Sequence, residues 1–405
     1  MKYAASRLDP VQPSASAWVS QAAKAAIAAG EDVIDLGLGE PDFDTPSHII
    51  EAAHRAALNG ETRYPPTNGT AALRQAVVGK LARENALSYG LDEVIVSNGA
   101  KQVLFNAMMT TLEPQDEVLL CAPYFGQYKD IVLILGGTPV ELICPASDGF
   151  ILKPDALRTA ITPKTRWIML NLPSNPAGAV YSDDALRTLG QVVDDHPDVL
   201  ILSDEIYEHI LFDGHKFLSF AAANPQLKDR TLTVNGVSKA YAMTGWRIGY
   251  GAGPAPLIAA MTKVQSQICS GACAIAQAAA AAALNGPQDE VRRFNAAFEA
   301  RRNLVVDHVA GIDGLTLEPP QGAFYALIGC EALIGATTPH GTTLVNDADV
   351  TAYFLKAAGI AAVPGSAYGL EPFFRISTAA SEAVLSTAMT RLASAVAALQ
   401  LKETP

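Results

Sequence analysis

The sequence predicts an α/β fold in which helices cover both faces of a largely parallel β-sheet. Two observations support this prediction: short apolar segments alternate with helix-like patterns, and clear helix starts lie in the same part of the chain. Strand–helix alternation of this kind is typical of parallel sheets. The predicted strands cover residues 94–97, 117–121, 139–143, 166–171, 199–203, 231–234 and 247–251.

Capping residues mark two of the helix starts. Thr45 precedes Pro46, and proline favours the first position of a helix while threonine can cap it. Ser182 precedes Asp183 and Asp184, whose charges favour the positive end of the helix dipole. The alanine-rich segment AIAQAAAAAALNG predicts a further helix that packs closely against a neighbour.

The character of the sequence changes after Ala283, and this change predicts a second domain. The segment NGPQDE interrupts the alternation, and a long charged helix is predicted from Glu290 to about residue 309. A chain of 405 residues also exceeds the usual size of one hydrophobic core. We therefore predict a large domain over residues 46–285 and a smaller domain formed by residues 1–45 and 286–405.

The composition argues against several classes of protein. A net charge of −12 disfavours a nucleic-acid partner, because phosphate binding requires a basic surface. No apolar segment is long enough to cross a membrane, and the N-terminus lacks the apolar core of a signal peptide. Five scattered cysteines predict a reducing, cytoplasmic location, and neither they nor the seven histidines have the spacing of a metal site.

Two charged residues lie where strands of the predicted sheet end, and a third lies close to them in the sequence. Asp204 directly follows the apolar segment VLILS, Lys239 follows the strand at 231–234, and Arg247 lies eight residues further on. In α/β sheets, ligands bind at the carboxyl ends of the strands. A lysine for an aldehyde, a carboxylate for a protonated pyridine nitrogen and donors for a phosphate together suit pyridoxal phosphate.

With these residues the sequence resembles class I aminotransferases of the aspartate aminotransferase family, which are fold-type I pyridoxal-phosphate enzymes. The resemblance covers nearly the whole chain, and its most specific motif is SKAYAMTGWRIGY. It implies a large domain with a mostly parallel seven-stranded sheet between helices, and a smaller α+β domain. The other matching segments are LGLGEPDFDTP, TRYPPTNGTAALRQAV, SNGAKQVLFNAM, PSNPAG, SDEIYEHI, GAFY, VPGSAYG and FFRIS.

The resemblance assigns roles around the cofactor ring. Lys239 matches the catalytic lysine, which holds the cofactor and then moves the substrate proton. Asp204 matches the partner of the pyridine nitrogen, and Tyr207 and Asn175 match donors to the phenolic oxygen. Phe125 stands where the family often has a tryptophan stacked on the ring, so we expect it to stack there with a smaller face.

Further matches concern the cofactor phosphate. Ser238 and Arg247 match phosphate ligands, as do the backbone amides around Ala100 and Lys101, where a helix N-terminus favours an anion. Tyr64 matches a tyrosine that reaches the phosphate of the neighbouring subunit. The resemblance therefore implies a homodimer with shared active sites.

Other matches concern the substrate. Gly39 matches a backbone contact to the substrate α-carboxylate, and Arg375 matches a bidentate clamp on that carboxylate. Lys101 matches a lysine that some aspartate-specific members use against the distal carboxylate. Phe125 and Asn175 are expected to contact the substrate as well as the cofactor.

The resemblance implies a pyridoxal-phosphate-dependent aminotransferase whose substrates are small molecules. Such an enzyme moves an amino group between an L-amino acid and a 2-oxoacid, such as 2-oxoglutarate, by a ping-pong mechanism. The match at Lys101 favours aspartate or another dicarboxylic amino acid as the donor. Gln12 stands where prephenate-active relatives often carry a basic residue, which argues against prephenate.

Departures from the family pattern leave other functions open. Phe125 and the segment QICSGACAIAQ, where close relatives have a Thr-Ser-x-Pro pattern, are compatible with an aromatic or aliphatic amino donor. A C–S lyase on the same scaffold would share every cofactor residue. A nonenzymatic regulator would need an appended basic helix-turn-helix region, which the sequence lacks. The segment GYGAGP suggests a nucleotide-dependent dehydrogenase, but it matches a dinucleotide-binding fingerprint only in part.

Overall fold

The β-strands form one large sheet and two small ones within residues 3–402, the part of the chain that the computed structural model describes. In chain order they are β1 (Ile34–Asp35), β2 (Val94–Ser97), β3 (Glu117–Ala122), β4 (Thr138–Ile143), β5 (Thr165–Asn171), β6 (Leu200–Asp204), β7 (Thr231–Gly236), β8 (Gly249–Ala252), β9 (Tyr325–Gly329), β10 (Ile360–Ala361), β11 (Val363–Pro364) and β12 (Phe373–Ser377). The large sheet has seven strands in the order β2-β8-β7-β6-β5-β3-β4. Strand β8 is antiparallel to both neighbours, and the other pairings are parallel.

This sheet confirms the seven predicted strands, with small differences at their ends. The strand predicted at 247–251 begins two residues later, at Gly249. The delay has a local cause, because Arg247 has a φ of 55° and directly follows the short 3₁₀ turn Thr244–Trp246. A residue in this left-handed conformation cannot continue an extended strand.

Helices pack on both faces of the large sheet, and others pack against the small sheets. The helices within residues 3–402 are, in chain order, α1 (Ala15–Ala28), α2 (Ser47–Leu58), α3 (Ala71–Asn85), α4 (Ala100–Thr111), α5 (Gln127–Ile134), α6 (Pro154–Ala160), α7 (Asp183–Asp194), α8 (Phe220–Ala223), α9 (Ala255–Ile268), α10 (Ala274–Asn285), α11 (Asp289–Ala310), α12 (Asp347–Ala358) and α13 (Glu382–Ala397). Val94 and Val96 of β2 belong to one core with α2, α3 and α10. Ile95 belongs to the opposite core with α4 and α9, because successive side chains of a strand point to opposite faces.

The helix starts and the alanine-rich helix follow the sequence with one exception. Helix α10 packs on α2 and α3, as its small side chains predict. The hydroxyl of Ser182 caps α7 by accepting a hydrogen bond from the Ala185 amide at 3.2 Å. The prediction that Thr45 caps α2 is wrong. Helix α2 begins at Ser47, and the Thr45 hydroxyl instead donates to the Ala242 carbonyl at 2.6 Å.

The C-terminal part of the chain builds a second core that includes the N-terminal segment. Strands β11, β12 and β9 form an antiparallel sheet, and helices α11, α12 and α13 pack around it. Strand β1 pairs in parallel with β10, with Ile34 opposite Ile360. The predicted domain boundaries, 46–285 against 1–45 with 286–405, stay a prediction. Over residues 3–402, every helix is too short or too polar to span a lipid bilayer.

A buried polar network joins helix α3 to the loop that follows β6 and to strand β7. The ammonium of Lys80, which is fully buried, donates to the carboxylate of Glu208 and to the Asn85 side chain. Glu208 also accepts hydrogen bonds from Asn85 at 2.6 Å and from Asn235 at 2.8 Å. Burial favours a raised pKa for the Glu208 carboxyl, but the charge of the nearby Lys80 outweighs it and the pKa is lowered. The Glu208 carboxylate therefore stays ionised inside the protein.

Replacing Lys80 by methionine should lower the free energy of unfolding by about 3–5 kcal/mol, because it leaves the buried Glu208 carboxylate without its cation. Urea unfolding followed by circular dichroism measures this change. The matched control is Lys263→Met, which removes an exposed lysine of α9 and should change the free energy by less than about 0.5 kcal/mol. Equal stability of the two variants would contradict this account of the network.

Candidate active site

A cavity of about 350 Å³ lies at the carboxyl ends of the central strands. Residues that follow β5, β6 and β7 line it together with the first turn of α4, the segment after β1 and one residue of β12. It brings together eleven of the predicted site residues: Gly39, Ala100, Lys101, Phe125, Asn175, Asp204, Tyr207, Ser238, Lys239, Arg247 and Arg375. A larger groove of about 990 Å³ lies between α12 and α13, but none of the predicted residues lines it.

Lys239 lies in the loop after β7 with its amine inside this cavity. Its Nζ donates a hydrogen bond to the Gly39 carbonyl at 2.7 Å. Burial, followed by the positive charge of Arg375, lowers the pKa of Lys239 to about 8, and Glu40 opposes this change. The amine therefore loses its proton far more readily than an exposed lysine. An uncharged buried amine is a nucleophile for carbonyl compounds and a base.

Asp204 ends β6 and presents a buried carboxylate with few donors. The Tyr128 hydroxyl donates to its Oδ2 at 2.6 Å, and the Ile206 amide donates to its Oδ1 at 3.3 Å. Burial raises the pKa of Asp204 to about 6, although both hydrogen bonds and the charge of Lys239 oppose this rise. A cationic N–H group bound beside this carboxylate would stabilise its ionised form. A protonated pyridine nitrogen is such a group.

Tyr128 belongs to this site, and sequence reasoning missed it. Its ring is buried in the first turn of α5, with ring centroids 5.5 Å from Phe125 in an edge-on contact. Tyrosines in a helix next to a sheet are ordinary core residues, so its type gave no signal. The available clue was its position three residues after Phe125, a spacing that brings side chains together at the start of a helix.

Arg375 lies on β12 and is almost fully buried beside Asn175. Its Nη1 donates to the Asn175 side-chain oxygen at 3.0 Å, and its Nη2 donates to the Gly37 carbonyl at 2.5 Å. Its Nε is buried and has no partner among residues 3–402. A buried guanidinium without a carboxylate partner can accept the carboxylate of a ligand.

The first turn of α4 forms the cationic side of the cavity with Ser238, Arg247 and Lys101. The first N–H groups of a helix have no carbonyl partner within it, so they are available to an anion. Two glycines permit the close approach of the chain here. A Cβ on Gly99 would collide with the Arg247 guanidinium, and a Cβ on Gly249 would collide with the Ala100 amide. Burial and the Arg247 charge lower the pKa of Lys101.

Two further predicted residues have different positions: Phe125 lies in the cavity, and Tyr64 lies outside it. Phe125 is half-buried, and the Lys101 ammonium lies 5.4 Å from its ring centroid. Tyr64 is 95% exposed and lies outside the cavity, near the segment 271–275. The structure of a single chain therefore does not bring Tyr64 to the other residues. Its role at a neighbouring subunit stays a prediction.

The residues that line the cavity fit pyridoxal phosphate. Lys239 offers an amine of lowered pKa for the aldehyde, and Asp204 offers a buried carboxylate for the ring nitrogen. The helix N-terminus at Ala100, with Arg247 and Ser238, offers donors for the phosphate. These three requirements come from separate parts of the chain and meet in one cavity.

Comparison with known families and structures gives a consistent result. The family model "Aminotransferase class I and II" matches residues 31–392. The aspartate aminotransferase of Rhizobium meliloti (strain 1021) is 52% identical over 391 residues, which cover 96% of this chain and 95% of that protein. A probable aspartate/prephenate aminotransferase of Rhizobium leguminosarum bv. phaseoli is 48% identical over 392 residues, which cover 97% and 98% of the two chains.

Solved structures agree with this result. The crystal structure of the aspartate aminotransferase from Rhizobium meliloti superimposes with a TM-score of 0.96 at 51% identity, covering 99% of this chain and 100% of the other. The aspartate aminotransferase from Thermus thermophilus with maleate gives a TM-score of 0.90 at 38% identity, covering 98% and 100%. The predicted fold and cofactor are confirmed, and the chain belongs to the class I and II aminotransferases as a pyridoxal-phosphate-dependent enzyme.

Proposed function

We propose that the enzyme transfers the amino group of aspartate, or of another dicarboxylic L-amino acid, to a 2-oxoacid such as 2-oxoglutarate by a ping-pong mechanism. The observation that carries this proposal is the pair of cations Arg375 and Lys101 in the cavity that holds Lys239. Within residues 3–402, neither cation pairs with a carboxylate. A dicarboxylic substrate supplies one carboxylate for each. Relatives named aspartate aminotransferase support the same substrate class.

Lys239 carries out the proton transfer in this proposal. Bound pyridoxal phosphate withdraws electrons from the substrate α-carbon, so that its proton can leave. Lys239 Nζ, whose pKa is held near 8 by burial, takes this proton and returns it to the product side. Arg375 and the Gly39 backbone hold the substrate α-carboxylate while Lys239 acts.

The other cavity residues hold the cofactor in this proposal. Asp204 keeps the ring nitrogen protonated, and the Tyr128 hydroxyl, 2.6 Å from its carboxylate, fixes the direction of that carboxylate. Tyr207 and Asn175 donate to the phenolic oxygen, and Phe125 stacks on the ring. Besides its contact with the cofactor, Asn175 orients Arg375 through the hydrogen bond between their side chains.

The phosphate group and the second subunit complete the proposal. Ser238, Arg247 and the amides at Ala100 and Lys101 bind the phosphate. Tyr64, which is 95% exposed in the single chain, reaches the phosphate site of a partner subunit in a homodimer. This assembly gives a large exposed aromatic side chain a buried position. A cytoplasmic location and the two-domain division at residues 46 and 285 belong to the same proposal.

A second candidate substrate class is favoured by Phe125 and Cys269. Phenylalanine lacks the indole N–H that a tryptophan would offer to a substrate carboxylate. The Cys269 thiol accepts hydrogen bonds from the Asn98 and Gln102 side chains, at 3.3 and 2.9 Å, beside the first turn of α4. This packing differs from the Thr-Ser-x-Pro pattern that the resemblance implies for the segment. An aromatic or aliphatic amino donor is therefore the alternative.

Single amino acids mixed with the cofactor-loaded enzyme should convert the bound cofactor to its amine form, and aspartate and glutamate should react fastest. The loss of the visible cofactor band in a stopped-flow instrument measures each rate. The variant Lys239→Ala should retain the cofactor through the phosphate and ring contacts but react at least about 10²-fold more slowly, because the base is lost.

The control for this experiment is Lys263→Ala, which removes an exposed lysine and should react like the wild type. Faster conversion by phenylalanine or leucine would favour the alternative donor class. Release of pyruvate, sulfide or ammonia from cysteine-type substrates would indicate a lyase. Normal transamination by Lys239→Ala would refute the role of Lys239.

Arg375→Lys should weaken the use of amino acids about 10- to 100-fold, because lysine loses the bidentate hydrogen bonds to the α-carboxylate. The effect should fall on KM and on the Kd of an unreactive dicarboxylate such as maleate. The visible band of the bound cofactor serves as the folding control. An unchanged KM for aspartate in Arg375→Lys would contradict the assignment.

Uptake of pyridoxal phosphate by the cofactor-free chain should accelerate as the pH rises through about 8, where Lys239 loses its proton. The rate should rise with pH because only the uncharged amine can bond to an aldehyde, and the lowered pKa brings this rise to about pH 8. Absorbance changes after mixing give the rate at each pH. A rate that keeps rising beyond about pH 10, as expected for an exposed lysine, would show that Lys239 is not held in a dry site.

A further inference from the structure

We propose that Tyr325 is a positioning residue that connects Tyr207 to Arg375, and so aligns the group that contacts the cofactor with the group that binds the substrate. This inference rests on the proposed function, because it takes the roles of Tyr207 and Arg375 from it. Tyr325 was not among the residues predicted from the sequence, although it belongs to the matching segment GAFY. It lines the cavity and is almost fully buried.

The register of β9 and β12 brings Tyr325 to Arg375. In this antiparallel pair Leu327 lies opposite Arg375 and Tyr325 lies opposite Ser377, so Tyr325 and Arg375 are diagonal neighbours on one face of the sheet. The guanidinium carbon of Arg375 lies 4.4 Å from the Tyr325 ring centroid. This cation–π contact holds one side of the guanidinium and leaves its edge for a carboxylate.

The hydroxyl of Tyr325 connects the same residue to Tyr207. The two hydroxyl oxygens are 2.8 Å apart in the protein interior, with the ring centroids 5.8 Å apart. Burial raises the pKa of Tyr207 and of Tyr325, so each hydroxyl keeps its single proton. If Tyr207 donates its proton to the cofactor, it must accept the proton of Tyr325. The pair thus fixes the direction in which Tyr207 donates.

The segment that contacts Lys239 also packs against Tyr325. A Cβ on Gly39 would collide with the Tyr325 hydroxyl, so glycine allows this segment to lie directly on the tyrosine. The Gly39 carbonyl accepts the hydrogen bond from Lys239 at 2.7 Å. Charged groups that face the tyrosine pair are Arg375, Asp204 and Lys239, whose Nζ lies 6.0 Å from the Tyr207 ring centroid. Tyr325 therefore contacts three of the elements whose relative positions the reaction requires.

Tyr368 provides a matched comparison within the same structure. Its ring lies 5.0 Å from the Arg375 guanidinium and is buried, as the ring of Tyr325 is. Its hydroxyl, however, has no hydrogen-bond partner among residues 3–402. Removing the Tyr368 hydroxyl therefore tests for general effects of a lost buried hydroxyl near Arg375. Removing the Tyr325 hydroxyl tests the connection to Tyr207.

The experiment compares wild type, Tyr325→Phe, Tyr368→Phe and Tyr325→Leu, each loaded with pyridoxal phosphate. The first readout is the pH midpoint of the visible absorbance change of the bound cofactor. A donor on the phenolic oxygen stabilises its deprotonated form, so a misdirected Tyr207 should raise this midpoint. We expect a rise of about 0.5 pH unit in Tyr325→Phe and no shift in Tyr368→Phe.

The second readout is the Kd of maleate, which reports on Arg375 without requiring turnover. Tyr325→Phe keeps the ring and should bind maleate like the wild type. Tyr325→Leu removes the ring and should bind it about fivefold more weakly, with a raised pH midpoint as well. Circular dichroism checks that Tyr325→Leu folds. If Tyr325→Leu does not fold, the pH midpoint of Tyr325→Phe alone tests the connection between Tyr325 and Tyr207.

The outcomes separate this inference from the function on which it rests. A wild-type chain that acquires no visible band with pyridoxal phosphate overturns both. A wild type that transaminates normally, with the same midpoint in Tyr325→Phe as in Tyr368→Phe and wild type, overturns the inference alone. A shifted midpoint in Tyr325→Phe alone supports the connection, because a loss of packing near Arg375 would affect Tyr368→Phe as well.

Discussion

The site depends on burying cations without pairing them with carboxylates. Lys239 is half-buried and Arg375 is almost fully buried, and both donate hydrogen bonds to backbone carbonyls of one short segment, those of Gly39 and Gly37. A carbonyl dipole satisfies the geometry of a buried N–H donor but does not neutralise its charge. Their mutual repulsion contributes to the lowered pKa of Lys239. The cavity therefore retains a positive potential that anionic ligands can neutralise.

The fold provides this arrangement through the direction of its strands. Strands β5, β6 and β7 are parallel, so the residues that follow them meet at one edge of the sheet. Asp204 and Lys239 lie close together because both follow the course of strands that end at this edge. Strand β8 is antiparallel to both β2 and β7, so β2 and β7 point in the same direction. The first turn of α4, which follows β2, therefore lies at the same edge. Behind the edge, the buried pair of Lys80 and Glu208 connects the loop after β6 and strand β7 to helix α3.

Much of this organisation could be predicted, because it depends on residue type at strand ends. The seven strands follow from short apolar segments, and Asp204, Lys239 and Arg247 are charged residues that an apolar context makes conspicuous. Tyr128 and Tyr325 could not be predicted from their type, because buried tyrosines are common in cores. The cap at Thr45 was wrong because a hydroxyl can satisfy a distant carbonyl equally well, here that of Ala242.

The pairing of β1 with β10 has a consequence for how the protein is made. Ile34 lies opposite Ile360, so the segment that carries Gly37 and Gly39 acquires its sheet partner only when nearly the whole polypeptide has been synthesised. Until then the segment 34–39 lacks its pairing with β10, while the central sheet, which is complete at β8, can already assemble. The backbone carbonyls that accept hydrogen bonds from Lys239 and Arg375 therefore depend on a strand pairing that spans more than 300 residues of sequence.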